Sequence, residues 1–212
     1  MTVSDGVRPS VWAATNPLVL ASRSLSRRKL LAASGLFPEV IAPEIDERVL
    51  EARFLTGGGS VEVLARQLAY AKAIAVNSSR VEAYCLGVDQ TLTLGKRLLH
   101  KPRDFSEAAH TLATLSGRTH RLTTAFCFVR CGKSLVVDHE TADLRMRTLD
   151  RGIIARYLEL TGSAVLSSVG VYQLEGIGIH LFDRIGGDHT TILGLPMFKV
   201  LSWLRRQGLI SL

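Results

Sequence analysis

The chain has 212 residues, of which 47% are hydrophobic and 21% are charged, a balance typical of a folded protein that buries a sizeable core without disulfides. The odd count of three cysteines argues against a secreted disulfide scaffold, and no apolar run reaches the roughly 18 residues that a membrane-spanning helix needs. Residues 1–16 lack the pattern of a signal peptide, so we expect an N-terminal extension and a cytoplasmic protein. The net charge of +7 attracts polyanions, including phosphates, RNA and anionic membranes.

The first predicted strand is followed at once by a basic helix. Residues 17–22 form a short apolar run, and residues 24–34 have helical character until a glycine ends them. Ser22, Arg23 and Arg27 lie at or near the turn between the two. Free backbone N–H groups at a helix N-terminus favour an anion site there, although a solvated basic face explains the same residues equally well.

The next segments contain an acidic loop and a lysine on an apolar helix face. A second strand is predicted for residues 37–42, and three carboxylates up to Glu47 follow it. Oxygen ligands of this kind suit Mg²⁺ or Mn²⁺, although a solvated acidic turn is the simpler explanation. The helix after Ser60 places Lys72 on its apolar face. Lys72 therefore either extends outward to solvent or points into a cleft that needs a cation.

An acidic residue ends the next predicted strand, residues 84–89. Burying the carboxylate of Asp89 is costly unless it has a task or a partner. Asp89 is therefore a candidate general base or metal ligand, with a capping role as the alternative. A hairpin is predicted for residues 91–99, and the segment HKPRD follows it. Lys101 of that segment can hold a phosphate or orient a water, although a lone lysine there is typically a surface residue.

The rest of the chain continues the alternation of strands and helices, which indicates an α/β fold. The predicted strands are residues 119–130, 134–147 and 177–185, and the predicted helices begin at Asp104, Asp150 and Pro196. No clear linker interrupts the pattern, so we expect a single domain over residues 17–212 with two lobes around one cleft. The P-loop, HExxH and GxSxG motifs are absent, which argues against the enzyme classes that depend on them.

Five segments resemble, in order, the motifs of the Maf family of nucleotide pyrophosphatases. The segments are LVLASRSLSRRKLL, APEIDE, GVDQTLTL with HKPRD, LSGRTH, and GVYQLEGIGIHLFDRIGGDHTTILGLP. One such motif is weak evidence, whereas five in family order between Leu18 and Gly208 are specific. The resemblance implies a Maf/ITPase-like fold, with a mixed central sheet flanked by helices and two lobes around a central cleft, and often a homodimer.

The resemblance also implies an activity and a set of site residues. Family members cleave the α–β phosphoanhydride of a nucleoside triphosphate with water and a divalent cation, here Mg²⁺, Mn²⁺ or Co²⁺. Such a reaction needs cations on the phosphates and an activated water. By position, the implied catalytic residues are Asp89 and Lys101, the metal ligands are Glu47 and Asp89, and the substrate-binding residues are Ser22, Arg23, Arg27, Lys72, Gln90 and Glu175.

Two departures from the commonest Maf pattern concern the substrate. Gln90 stands where many members have Thr, and Glu175 stands where many have Gln; both resemble the branch that hydrolyses 7-methyl-GTP. A carboxylate accepts two hydrogen bonds from the N–H groups on the Watson–Crick edge of guanine, whereas a pyrimidine offers one. Two further departures, Leu25 in place of a frequent Pro and Thr124-Ala125 in place of Thr-Gly, affect loop geometry more than chemistry.

Two alternatives stay open at this point. A pyrophosphatase for dTTP, UTP or a broad set of nucleotides fits the same motifs. A non-catalytic protein that regulates septum formation or binds nucleic acid fits the positive charge but leaves the carboxylates of Asp89 and Glu47 unexplained. That protein would also need aromatic residues interleaved with the basic ones, which the sequence lacks. We therefore expect a nucleoside triphosphate as the partner, with no membrane and no specific nucleic acid.

Overall fold

A mixed seven-stranded sheet forms the centre of the computed structural model, which describes residues 10–212. The strands are β1 (Leu18–Ala21), β2 (Glu39–Ile41), β3 (Tyr84–Leu94), β4 (Arg97–Leu99), β5 (Thr119–Arg130), β6 (Lys133–Met146) and β7 (Phe182–Gly186). Their order is β2-β1-β3-β5-β6-β7, with β4 paired to β3. Strand β1 is parallel to β2 and β3, and the other pairs are antiparallel. The mixed α/β architecture expected from the sequence is confirmed.

Helices flank the sheet, and a serine or aspartate side chain caps the first turn of five of them. The α-helices are α1 (Leu25–Ala33), α2 (Glu47–Thr56), α3 (Val61–Asn77), α4 (Phe105–Leu115), α5 (Arg151–Thr161), α6 (His189–Ile192) and α7 (Met197–Arg206). Leu25 is the first residue of α1, a position where proline also fits, so this departure leaves the helix start intact. Within residues 10–212, no helix is long and apolar enough to cross a membrane.

Strand β3 pairs with β5 along most of its length but changes partner on its other side. Its first residues pair with β1 as far as Gly87, and its last residues pair with β4 from Leu92 onward. Residues 88–91 therefore have no strand neighbour on that side, and Asp89 lies within this interval. The sheet is open there, directly beyond the carboxyl end of β1.

Two large hydrophobic cores are built on different parts of the sheet. One surrounds α4 and α5 and includes Leu92 of β3 and Leu122 of β5. The other surrounds β1, α1 and α7 and includes Val88 of β3 and Phe128 of β5. In this second core Phe128 stacks on Trp203 of α7, with ring centroids 4.4 Å apart. Strands β3 and β5 therefore contribute side chains to both cores.

Helix α3 lies very close to the sheet because its contact face consists of small residues. Ala65, Ala69 and Ala73 are fully buried, in one cluster with Ala125 of β5. A Cβ atom on Gly87 of β3 would lie 2.1 Å from the carbonyl oxygen of Ala69, so this crossing requires glycine. Ala125, one of the departures from the usual Maf pattern, adds only a methyl group to this small-residue interface.

The acidic segment after β2 differs from its prediction. Residues 43–48 were expected as a loop, but Asp46 caps α2 and Glu47 is the first residue of that helix. Helix α2 has no buried residue, so its sequence lacks the apolar stripe by which buried helices are recognised. Asp46 consequently serves as a helix cap, and Glu47 is the only one of the three carboxylates that lines the cleft.

The segment before β7 also differs from its prediction. Residues 177–185 were expected as one strand, but they begin as the 3₁₀ helix Ile177–Leu181. A Cβ on Gly178 would lie 2.5 Å from the carbonyl oxygen of Gln173. This close backbone packing, which local residue preferences do not report, favours the tight turn over an extended strand.

The predicted N-terminal extension is described only from residue 10, and residues 1–9 lie outside the described part. Trp12 forms a β-bridge with Ile210 and packs edge-on against the ring of Tyr84. Its indole nitrogen donates to the carbonyl of Asn16 at 3.0 Å. Residues 10–16 are thus anchored on the second core, beside the last residues of the chain.

Candidate active site

A cleft of about 1070 Å³ opens at the carboxyl ends of the parallel strands. Ligands of open α/β sheets bind in this position because the strand ends and the loops after them leave a crevice. Its walls come from the turn after β1, the starts of α1 and α2, helix α3, strand β3, and the segments after β4 and before β7. The cleft brings together all nine residues named as site residues from the sequence: Ser22, Arg23, Arg27, Glu47, Lys72, Asp89, Gln90, Lys101 and Glu175.

Three of these side chains form a charge cluster, the Lys72–Asp89–Glu47 triad. The Lys72 ammonium donates to Asp89 Oδ1 at 2.6 Å and lies 2.9 Å from Glu47 Oε1. Lys72 and Asp89 are only 6% and 5% exposed, and burial of either charge alone would be strongly unfavourable. The Glu47 side chain is half exposed and adds a second negative charge on the open side of the pair. Lys72 therefore points into the cleft, one of the two alternatives left open by its place on an apolar face.

The acidic side of the triad fits a hard divalent cation. Asp89 and Glu47 converge on one ammonium, and each has a second carboxylate oxygen with no hydrogen-bond partner within residues 10–212. Proteins commonly bind Mg²⁺ through one or two carboxylates together with waters and substrate phosphates. The same part of the chain has no group of three or more His, Cys, Asp or Glu side chains suited to a metal. A cation at the triad would therefore need phosphate or water for its other ligands.

Arg27 braces the cleft from within. Its Nε donates to the carbonyl of Gly194 at 2.8 Å, and its Nη1 donates to the carbonyl of Val88 at 2.9 Å and to Ser22 Oγ at 3.1 Å. Burial lowers the pKa of Arg27, while the nearby carboxylates of Asp89 and Glu47 act in the opposite direction. These three donor bonds are thus structural, and Nη2 donates to no acceptor within residues 10–212.

Gln90 has a similar structural role at the other side of Asp89. Its amide nitrogen lies 2.8 Å from Thr124 Oγ1, 3.0 Å from the Thr191 carbonyl and 3.2 Å from the Ile192 carbonyl. These contacts hold the C-terminal end of α6 against the sheet. Gln90 lines the cleft, but its N–H donors are already used, so any contact with a nucleotide falls to its carbonyl oxygen.

Arg23 and Lys101 are exposed cations of the cleft. The cleft walls partly desolvate the Lys101 ammonium and lower its pKa, and the positive charge of Arg27 acts in the same direction. Glu47 and Asp89 partly offset this by attracting the proton. Lys101 thus lies within electrostatic reach of the triad. The first turn of α1 adds backbone N–H groups that lack intrahelical acceptors.

One wall of the cleft was not singled out residue by residue from the sequence. Ser168, Tyr172 and Gln173 line the cleft beside Glu175, which is exposed. These residues follow α5 through the 3₁₀ helix Gly162–Ser167. The run of serines and glycines next to an aromatic residue was the available signal, because such runs typically mark a loop that approaches a ligand.

Beneath this wall, His120 and Tyr172 form a buried polar pair. His120 Nε2 lies 2.8 Å from Tyr172 Oη, and the His120 ring is 1% exposed. Its Nδ1 has no hydrogen-bond partner in the described part of the chain. Burial lowers the pKa of His120 to about 4, with a small opposing contribution from Asp143. His120 is therefore neutral at physiological pH and serves the wall by hydrogen bonding.

The low pKa of His120 predicts a pH dependence of stability. Between pH 6.5 and about 4, His120 is protonated in the unfolded chain but stays neutral in the folded chain. The free energy of unfolding therefore falls as the pH drops. We expect this residue alone to remove about 2 kcal/mol between pH 7.5 and pH 5. Urea unfolding of the wild type and of His120→Phe at both pH values measures this contribution. An equal loss of unfolding free energy in the two proteins would contradict the prediction.

The sequence matches known proteins over almost all of its length. The family model described as Maf-like protein matches residues 17–207. The chain belongs to the Maf family. The match covers all of the cleft-lining segments, so the site of this Maf protein lies entirely within the family region.

Individual relatives of this Maf protein support the same assignment. It is 47% identical to the 7-methyl-GTP pyrophosphatase of Rhizobium etli over 197 residues, which cover 93% of this chain and 99% of the relative. It is 48% identical to the 7-methyl-GTP pyrophosphatase of Rhizobium meliloti over 194 residues, or 92% and 98% of the two chains. It is 45% identical to the nucleoside triphosphate pyrophosphatase of Rhodopseudomonas palustris strain BisB18 over 203 residues, or 95% and 99%.

Proposed function

We propose that this Maf protein hydrolyses the α–β phosphoanhydride of 7-methyl-GTP and releases the nucleoside monophosphate and pyrophosphate. Family membership and relatives named as pyrophosphatases support the general reaction, that of a nucleotide pyrophosphatase. The observation that carries the proposal is the Lys72–Asp89–Glu47 triad within a cleft that also holds Arg23, Lys101 and the start of α1. Binding a triphosphate requires cationic groups, and the attack of water on phosphorus requires a carboxylate beside them that orients or deprotonates the water.

The residues of the cleft would have different roles in the reaction: positioning of the water, binding of the phosphates and binding of the cation. In the proposed reaction Asp89 would orient or deprotonate the attacking water, and its bond from Lys72 at 2.6 Å supports this role by fixing the carboxylate. Arg23, Lys101 and the N–H groups of α1 would bind the phosphates and stabilise the charge that develops on the leaving pyrophosphate. Glu47 and Asp89 would hold a divalent cation, which supplies Lewis-acid polarisation of the phosphate oxygens.

The preference for a methylated guanine depends on Glu175, an exposed side chain in the same cleft. Its carboxylate can accept from both N–H groups of the guanine Watson–Crick edge. Methylation at N7 makes the base cationic, which further favours a neighbouring carboxylate. Relatives at 47% and 48% identity carry the name 7-methyl-GTP pyrophosphatase. The alternative is a dTTP, UTP or broad-specificity enzyme, and the name of the R. palustris relative leaves the base open.

A nucleotide panel tests the proposed function. The panel measures pyrophosphate release from 7-methyl-GTP, GTP, dTTP, UTP and ATP with Mg²⁺, Mn²⁺ or Co²⁺. The expected result is metal-dependent release of pyrophosphate, with the highest kcat/KM for 7-methyl-GTP. Faster turnover of dTTP or UTP would replace the methylated-guanine proposal by the pyrimidine alternative, and no turnover of any triphosphate would overturn the pyrophosphatase proposal itself.

Replacing Glu175 with glutamine tests base recognition separately from chemistry. The amide keeps one acceptor but presents an N–H₂ group to a guanine N–H donor, so one charge-assisted bond becomes a repulsive contact. We expect kcat/KM for 7-methyl-GTP to fall about tenfold or more while that for UTP changes little. The matched control is Glu62→Gln, an exposed glutamate of α3 outside the cleft. An unchanged ratio between the two substrates in Glu175→Gln would remove Glu175 from base recognition.

Two further implications of the family stay predictions. The homodimer can be tested by light scattering on the purified protein, and the cytoplasmic location by fractionation of the source cells.

A further inference from the structure

A strained turn precedes the part of the cleft wall that carries Glu175, the residue proposed to recognise the base. Val171 has φ of 61°, a left-handed conformation that is unfavourable for a β-branched residue. The preceding Gly170 has no space for a side chain, because a Cβ would lie 2.1 Å from the Tyr172 ring. Such a conformation persists only when the surrounding structure enforces it. The turn Gly170–Tyr172 must therefore be held by its contacts.

Three side-chain hydrogen bonds hold it from three different directions, in addition to the backbone bond from the Val171 N–H to the Ser168 carbonyl at 3.2 Å. Tyr157 Oη of α5 donates to the Val171 carbonyl at 3.0 Å, and Ser168 Oγ donates to the Tyr172 carbonyl at 2.8 Å. The third joins His120 of β5 to the Tyr172 hydroxyl at 2.8 Å. We call Tyr157, Ser168 and His120 the clamp. All three bonds fix the backbone or ring of the two residues that follow Gly170.

Two of the three clamp residues lie outside the cleft, whereas Ser168 lines it. Tyr157 and His120 are buried and do not line the cleft, whereas Tyr172 and the three residues after it do. Residues 173–175 continue directly from the clamped turn, so any rotation of the turn changes where Glu175 points. The triad and the brace residue Arg27 are on other elements, namely α1, α2, α3 and β3.

A buried tyrosine hydroxyl bonded to a buried histidine is costly to build for stability alone. The pair leaves His120 Nδ1 without a partner in the described part of the chain, and an unsatisfied buried polar atom is unfavourable. Two well-packed apolar side chains would fill the same space without that cost. The arrangement instead fixes one particular backbone conformation beside the ligand cleft.

We propose that the clamp residues Tyr157, His120 and Ser168 are positioning residues that set base discrimination by holding the strained turn before Glu175. The proposal rests on the proposed function, because it concerns how the same cleft selects its nucleotide. Loss of a clamp bond lets Val171 relax toward ordinary backbone angles and displaces Glu175. Recognition of the base then weakens, while the triad stays in place.

Tyr157→Phe tests this with the ring packing preserved. Steady-state kinetics on 7-methyl-GTP and UTP should show KM for 7-methyl-GTP raised about fivefold, as expected for one lost hydrogen bond, with a much smaller change in kcat. KM for UTP should change less, so the selectivity falls. Tyr84→Phe is the matched control, since the Tyr84 hydroxyl accepts from Arg130 outside the cleft. Thermal unfolding of both variants separates lost stability from lost selectivity.

The outcomes distinguish failure of the clamp proposal from failure of the proposed function on which it rests. A wild type that turns over no triphosphate would overturn the proposed function and the clamp together. An active wild type with the same selectivity in Tyr157→Phe as in Tyr84→Phe would overturn the clamp alone. If Tyr157→Phe does not fold, His120→Phe removes a different clamp bond from outside the cleft, and the same fall in selectivity is expected. Equal losses of kcat on both substrates would assign these residues a purely structural role and also overturn the proposal.

Discussion

Asp89→Asn should reduce metal-dependent pyrophosphate release about a thousandfold or more. The substitution removes the only buried carboxylate of the triad, and with it the proposed base for the attacking water and a proposed cation ligand. Lys72 keeps its contact with Glu47 at 2.9 Å, so the ammonium does not become an isolated buried charge. The expected signature is loss of kcat with a fold that still unfolds cooperatively. Single-turnover and steady-state measurements on 7-methyl-GTP, with saturating Mn²⁺, provide the test.

Asp183→Asn is the matched control, because Asp183 is an exposed aspartate of β7 outside the cleft. It should retain wild-type turnover. An Asp89→Asn protein with more than a tenth of wild-type kcat would show that another group activates the water. Asp89→Asn also addresses the nucleic-acid alternative, because it should abolish turnover while leaving any simple nucleic-acid binding intact. Salt-sensitive RNA binding by a wild type without turnover would favour that alternative.

Gly87→Ala should both destabilise the protein and impair the site. The new methyl group would lie 2.1 Å from the Ala69 carbonyl oxygen and 2.6 Å from the Ala73 amide nitrogen. Helix α3 must therefore move away from β3, and we expect a loss of about 3 kcal/mol in the free energy of unfolding. Lys72 lies on that helix, next to Ala73, so the same movement separates it from Asp89. Displacements of about 1 Å in catalytic groups commonly reduce turnover a hundredfold.

Gly186→Ala in β7 is the control for this prediction. A Cβ at Gly186 would be 3.5 Å from the nearest atom, the Asp143 carbonyl oxygen, which is an ordinary contact. Urea unfolding should show a change of less than about 0.5 kcal/mol for Gly186→Ala. Wild-type stability in Gly87→Ala would mean that α3 is not seated against the sheet at this glycine.

The elements whose pattern reflects their own burial were predictable from the sequence. Strands β3 and β5 are long and largely buried, and α3 and α4 show clear apolar faces. Lys72 and Asp89 stood out because each was a charge in an apolar context, which is costly without a partner. The structure brings these two side chains into direct contact. Helix α2 escaped prediction because it has no buried residue.

Partnerships between distant residues could not be predicted in the same way. Arg27 and Gln90 were both expected to bind substrate, yet most of their donors are used within the protein. Arg27 bonds to Gly194, 167 positions away, and Gln90 bonds to Thr191, 101 positions away. Composition and periodicity report whether a side chain is buried, not which carbonyl it meets. Which cleft side chains form structural hydrogen bonds, and which stay available to a ligand, therefore became visible only in the structure.

The continuity of β3 and β5 limits how this molecule can respond to a nucleotide. Val88 and Leu92 are four residues apart on one strand, yet they are packed in different hydrophobic cores. Phe128 and Leu122 span the same two cores from the neighbouring strand. Hinge rotation of one core against the other would have to shear the β3–β5 pairing that both cores share, which costs buried hydrogen bonds. We therefore expect a nucleotide to be bound through rearrangement of exposed side chains such as Arg23 and Lys101, without a hinge motion of the backbone.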